Sequence, residues 1–100
     1  MEDKKEFLDE FQLKYLNEYL LHPQDEISLN TLSKIVPNSI RTNQSYFYIE
    51  TYVHADGFQI DYLSYNHTSP LFSVREHFLI DALFEAIKKL LTYDKHCLNG

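Results

Sequence analysis

The chain of 100 residues is short of several residue types, and each shortage excludes something. It has 1 Cys, Cys97, so it can form neither an internal disulfide nor a Cys-x-x-Cys zinc site. It has 2 Gly, below the usual share of about 7%, which leaves none for a Gly-rich phosphate loop. Bases are scarce too: 9 Lys and Arg against 15 Asp and Glu give a formal charge of −6. That balance disfavours nucleic acid as a partner, because phosphate binding needs a basic footprint. Long apolar runs are missing: no stretch approaches the roughly 18 residues that span a bilayer. The first 26 residues lack the basic start and apolar run of a secretory signal. The expectation is a cytoplasmic protein without membrane contact. On that expectation, Asn43-Gln44-Ser45 and Asn66-His67-Thr68 match the glycosylation pattern by chance.

What is present favours one compact domain. Hydrophobic residues make up 44% of the chain and aromatics 15%, enough for one core at this length. The acidity is local. Residues 1–26 hold eight acids and three bases, whereas residues 73–100 hold four of each. Few Ala and Gly beside many Leu, Ile, Asn, Lys and Tyr reflect an AT-rich genome, so a low-GC bacterium, its phage or a mobile element is the expected source.

Periodicity predicts the elements. Leu8, Phe11, Tyr15 and Tyr19, widened by Phe7, Leu16 and Leu20, form an apolar stripe and predict a helix over residues 4–21. Asp3 and Glu6 stand at its capping-box positions, and His22-Pro23 ends it. Ser28 caps a shorter helix over residues 29–36. Residues 45–55 and 58–65 are rich in aromatic and β-branched types, and the Asp56-Gly57 pair between them predicts a two-residue hairpin turn. That turn sets Ala55 opposite Phe58, Val53 opposite Ile60, Thr51 opposite Tyr62 and Ile49 opposite Ser64. Ser73-Val-Arg-Glu76 matches a capping box and predicts a last helix over residues 74–93. The fold class expected is α+β. It is a small single domain, residues 1–93, of two long helices packed on an antiparallel hairpin or small sheet of two or three strands. The element order is α-(α)-β-β-α. A two-stranded sheet is marginal alone, so residues 38–44 or 66–72 are the candidates for a third strand. Residues 94–100 are expected to form a C-terminal tail.

Chemistry-bearing residues are few. No closely spaced His pair occurs on one element, so no metal site is expected. His96-Cys97 are neighbours in the expected tail, which does not make them a catalytic dyad. No cofactor motif occurs, and the chain is expected not to be an enzyme. Helix, short helix, hairpin and long helix is also the order of a winged-helix DNA-binding regulator, the alternative reading. That reading needs a third helix from Ser39, a segment rich in Asn, Ser and Thr whose one base is Arg41.

The strongest functional signal is one face of the hairpin. Tyr46, Tyr48, Tyr52 and Tyr65 share it with Glu50, His54 and Asp61. Tyr buries a large area while keeping a polar end, which suits protein interfaces. These seven residues are the expected partner-binding site, unless a helix covers the face. The partner expected is another protein, with a basic surface to complement the acidic first segment, or a second copy pairing at a strand edge. The function expected is therefore that of a small acidic binding module acting as regulator, inhibitor or adaptor.

Overall fold

The computed structural model describes residues 4–43 and 45–99. Three helices, α1 (Glu10–Asn17), α2 (Leu29–Ile35) and α3 (Leu79–Tyr93), pack on a four-stranded antiparallel sheet. The strands are β1 (Ser39–Arg41), β2 (Tyr46–His54), β3 (Gly57–Leu63) and β4 (Phe72–Glu76), adjacent in chain order. The domain is 17 Å thick along its shortest axis, which accommodates one sheet layer and one helix layer. The α+β class agrees with expectation. The order is α-α-β-β-β-β-α, and the sheet has four strands rather than two or three.

The first helix is shorter than its periodicity predicts. Residues 4–8 are extended, because Leu8 N–H donates to the Ile27 carbonyl (3.0 Å) and Leu29 N–H to the Glu6 carbonyl (2.8 Å). The helix starts only at Asp9. There the Asp9 carboxylate accepts from Gln12 N–H (2.8 Å), and the Gln12 side chain accepts from Asp9 N–H (3.0 Å). This capping box replaces the expected one at Asp3, which lies outside the described residues. Beyond Asn17 the chain folds back, and the Asn17 amide pairs with both backbone groups of Gln24. The expected stripe is therefore broken: Leu16 is fully buried, but Phe11 is 86% exposed.

The short helix forms as predicted, with the Ser28 side chain accepting from Thr31 N–H (3.1 Å). The last helix begins five residues later than predicted. Phe72 and Val74 alternate with Ser73 and Arg75, and this period of two wins over the capping-box match, so Phe72–Glu76 pairs with β3. Of the two candidate regions for a third strand, residues 38–44 supply β1, which pairs with β2, whereas residues 66–72 reach a strand only at Phe72.

The hairpin turn also differs. Ala55 does not face Phe58: His54 faces Gly57, so Ala55-Asp56 forms the loop and Gly57 opens β3. Gly57 backs onto β4: a Cβ there would strike the Glu76 carbonyl and lie 3.0 Å from His77 Cα. The pairing slips by two residues, giving Val53↔Phe58, Thr51↔Ile60 and Ile49↔Tyr62. An even slip keeps every side chain on its predicted face.

Helix α3 lies across one face of the sheet. Its buried Ile80, Leu83, Ile87 and Leu90 join Phe47, Ile60, Tyr62 and Val74 in the core. Tyr62 is fully buried, and its hydroxyl donates to the Pro37 carbonyl (2.6 Å), drawing the α2–β1 connection beneath the sheet. Burial pushes the Tyr62 phenol pKa far above its ordinary value. Helix α1 docks through Tyr15 against Phe84 and through Gln12, which donates to Asp81 (2.7 Å) beside Lys5 of the preceding extended segment (2.8 Å). Burial works against the Lys5 charge, but the Asp81 and Asp9 carboxylates outweigh it and raise its pKa. Residues 94–99 do not trail away as a tail. Cys97 and Leu98 pack on the core, and Asn99 donates to the carbonyls of Ile35 and Val36. Burial and the nearby Asp94 push the Cys97 thiol up to about 11, which leaves it a poor nucleophile.

Candidate functional site

Strand alternation divides the sheet into a covered face and an open one. No described helix packs on the open face, so the expected Tyr-bearing surface is not core. Tyr46 (49%), Tyr52 (41%) and Tyr65 (87%) are exposed there, and Glu50 is exposed between them. Tyr48 is half-buried because its ring packs against Tyr65, with centroids 5.1 Å apart. Its direct partner in the ladder is Leu63, so the Tyr48–Tyr65 contact is diagonal. Desolvation, then the neighbouring Tyr65 and Glu50, raise the Tyr48 phenol pKa.

The polar residues sort into two groups. Asp61 is the buried one: it accepts from Ser73 Oγ (2.5 Å) and Gln59 Nε2 (3.0 Å). Gln59 Oε1 in turn meets His54 Nε2 (2.7 Å), so a polar row crosses β2, β3 and β4. Glu50 sits directly opposite Asp61 in the ladder. Two facing carboxylates repel, and the two donors to Asp61 and the exposure of Glu50 relieve that repulsion. Arg75 holds Asp56 at the hairpin tip (2.6 Å), and this guanidinium keeps the Asp56 carboxyl below its ordinary range.

The surface thus brings together all seven predicted residues, six of them at least partly accessible and Asp61 buried beneath donors. The ladder places Tyr52 opposite Gln59 rather than Asp61. His67 stacks on Phe47 of the covered face (5.8 Å between ring centroids). Ser73 and Arg75 join the open face because Phe72–Glu76 is a strand, and Ser39 and Arg41 join it from β1. The alternation of apolar and polar types in residues 72–75 is the signal that marks the first pair.

The arrangement is an open surface rather than a cleft. His54 touches Gln59, not Asp61 or Ser73, so the polar row does not align a base with a nucleophile. A hollow of about 610 Å³ lies at the hairpin tip, but His54 is its sole residue from the Tyr-bearing set. Neither Glu50 nor Asp61 lines it. Among the described residues, no three His, Cys, Asp or Glu side chains converge in a way that would hold a metal ion. No described helix is long and apolar enough to cross a membrane. The segment that a winged helix would use for recognition is strand β1 instead of a third helix.

Comparison with family models, with curated proteins and with solved structures finds no match.

Proposed function

We propose that the chain is a non-enzymatic protein-binding module whose open sheet face docks on another protein. One observation carries this reading: Tyr46, Tyr52 and Tyr65 stand exposed on an uncovered sheet, with Tyr48 braced against Tyr65. Rigid, flat aromatic surface with phenolic ends loses little side-chain entropy on docking, which is why Tyr anchors interfaces. Glu50 and His54 add polar specificity at the rim of that patch. The exposed Glu6, Glu10 and Glu18 around α1 suit a target with a basic surface. A regulator or inhibitor, encoded by a phage or mobile element and acting in the cytoplasm, fits this combination.

The test is affinity capture with the wild-type chain and with Tyr48→Ala/Tyr65→Ala. The double variant should keep its circular dichroism spectrum and lose at least about tenfold in partner affinity. Capture that is indifferent to both substitutions would remove the face from consideration. Unfolding of the double variant would show that the rings are structural.

A further inference from the structure

Strand β2 has nine residues, but β1 pairs only with Tyr46–Tyr48. The last contact on that side is Ile49 N–H to the Asn38 carbonyl (2.9 Å). In an antiparallel ladder, alternate residues direct N–H and C=O to the same side. Thr51 and Val53 therefore present their backbone groups outward, past the end of β1. Nothing described covers them. Before Ser39 the chain dives beneath the sheet, where Tyr62 holds the Pro37 carbonyl. Thr51 is exposed, and Val53 is 76% exposed despite being β-branched and apolar. Edge strands are normally blunted by Lys, Pro or a bulge, and residues 50–54 have none of these.

The sequence of this free edge is complementary to itself. Glu50-Thr-Tyr-Val-His54 reads acid, β-branched, Tyr, β-branched, His. Two copies laid antiparallel about Tyr52 put Glu50 opposite His54 of the partner subunit at both ends. Thr51 then meets the partner's Val53, and the two Tyr52 rings meet at the axis. The outward pairs Thr51–Val53 are the ones that exchange backbone hydrogen bonds in this register. Among the described residues the Glu50 side chain makes no salt bridge or hydrogen bond, and it sits opposite the Asp61 carboxylate. In the twofold pairing the partner's His54 ring stands beside it instead.

We infer that a second copy of this chain docks on the free edge of β2, joining two sheets into one of eight strands about a twofold axis at Tyr52. The interface is isologous, so each contact occurs twice. The open Tyr-bearing faces become one continuous surface, because paired strands share their face orientation. The inference rests on the free edge and its residue pattern, not on the proposed heterologous partner.

Sedimentation equilibrium of the wild-type chain, with amide exchange at low and high concentration, tests this. A reversible dimer is expected, with the Thr51 and Val53 amides protected only at high concentration. Val53→Pro removes an outward N–H that the monomer does not use, and should weaken the dimer at least about tenfold. Val53→Lys, a standard edge protector, serves as the second variant should the proline disturb β2. Glu50→Ala removes the side chain that meets the partner's His54 at both ends and should weaken it about five- to tenfold. The exchange Glu50→His/His54→Glu should restore dimerisation. A monomer at every concentration would overturn the inference, as would a dimer indifferent to both Val53 variants. Failure of the Glu50→His/His54→Glu exchange to restore the dimer would overturn the Tyr52-centred register. Protection of Thr51 and Val53 only on adding a different protein would assign the edge to that protein instead. Loss of self-association with intact Tyr48- and Tyr65-dependent capture separates this inference from the proposed function.

Discussion

The two faces of the sheet use the same residue types for opposite ends. Tyr62 and Tyr65 are three residues apart, yet one is fully buried and the other 87% exposed. On the covered face, aromatic and aliphatic rings are held by α3 and by the Tyr62–Pro37 hydrogen bond. On the open face, the rings hold one another, as Tyr48 and Tyr65 do, and a polar row around Asp61 takes the place of a second helix layer. The difference teaches that aromatic content alone does not locate a core. The covering element decides, and one amphipathic helix of 15 residues covers one face.

Substitutions can break or sharpen this contrast. Tyr62→Ala empties the centre of the covered face and should cost about 3–5 kcal/mol in denaturant unfolding. The same residue should show at alkaline pH. The unfolded phenol ionises near its ordinary 10.0 while the buried one resists, so stability should fall as pH rises above that value. Gly57→Ala drives a methyl into the Glu76 backbone and should cost about 1–3 kcal/mol by the same measurement. Asp9→Ala removes the α1 cap and should cost about 1 kcal/mol. The Asp9 carboxyl sits below its ordinary 3.8, through Gln12 N–H first and Lys5 second. Its contribution is therefore complete above that value and lost as pH falls through the lowered one, which acid titration of the wild type and Asp9→Ala would separate. The smallest effect belongs to the open face: Tyr48→Ala/Tyr65→Ala should cost about 1 kcal/mol or less in stability. A loss there as large as that of Tyr62→Ala would erase the distinction between the faces.

Much of the architecture was legible in local pattern, and the errors share one cause. Two segments matched helix-start motifs and became extended. Residues 4–8 carry the stripe spacing, but backbone pairing with residues 27–29 claims them. Ser73 and Glu76 stand at capping-box spacing, but β3 offers Phe72–Glu76 an edge to pair with. Such long-range pairing is invisible to any window of a dozen residues. The Asp56-Gly57 pair marked the hairpin but not its loop, because the demand on Gly57 comes from the backbone of β4. The composition of the open face survived that error, since a slip of two residues preserves alternation. Its pairings did not, and the capping-box match places Ser73 and Arg75 at the cap and first turn of a helix that starts beyond them.

The closure of α2 has a consequence for the order in which the chain acquires its shape. Seven residues are too few for a helix that stands by itself. Its last carbonyls, of Ile35 and Val36, are met by Asn99, more than sixty positions downstream. Its first turn is met from the other direction, by Glu6. This helix is thus held from both sides by distant chain, and its last carbonyls find their partner only once Asn99 is in place. The hairpin of β2 and β3, whose contacts are local, is free to form long before. The free β2 edge is therefore present early, while α2 still waits for its cap.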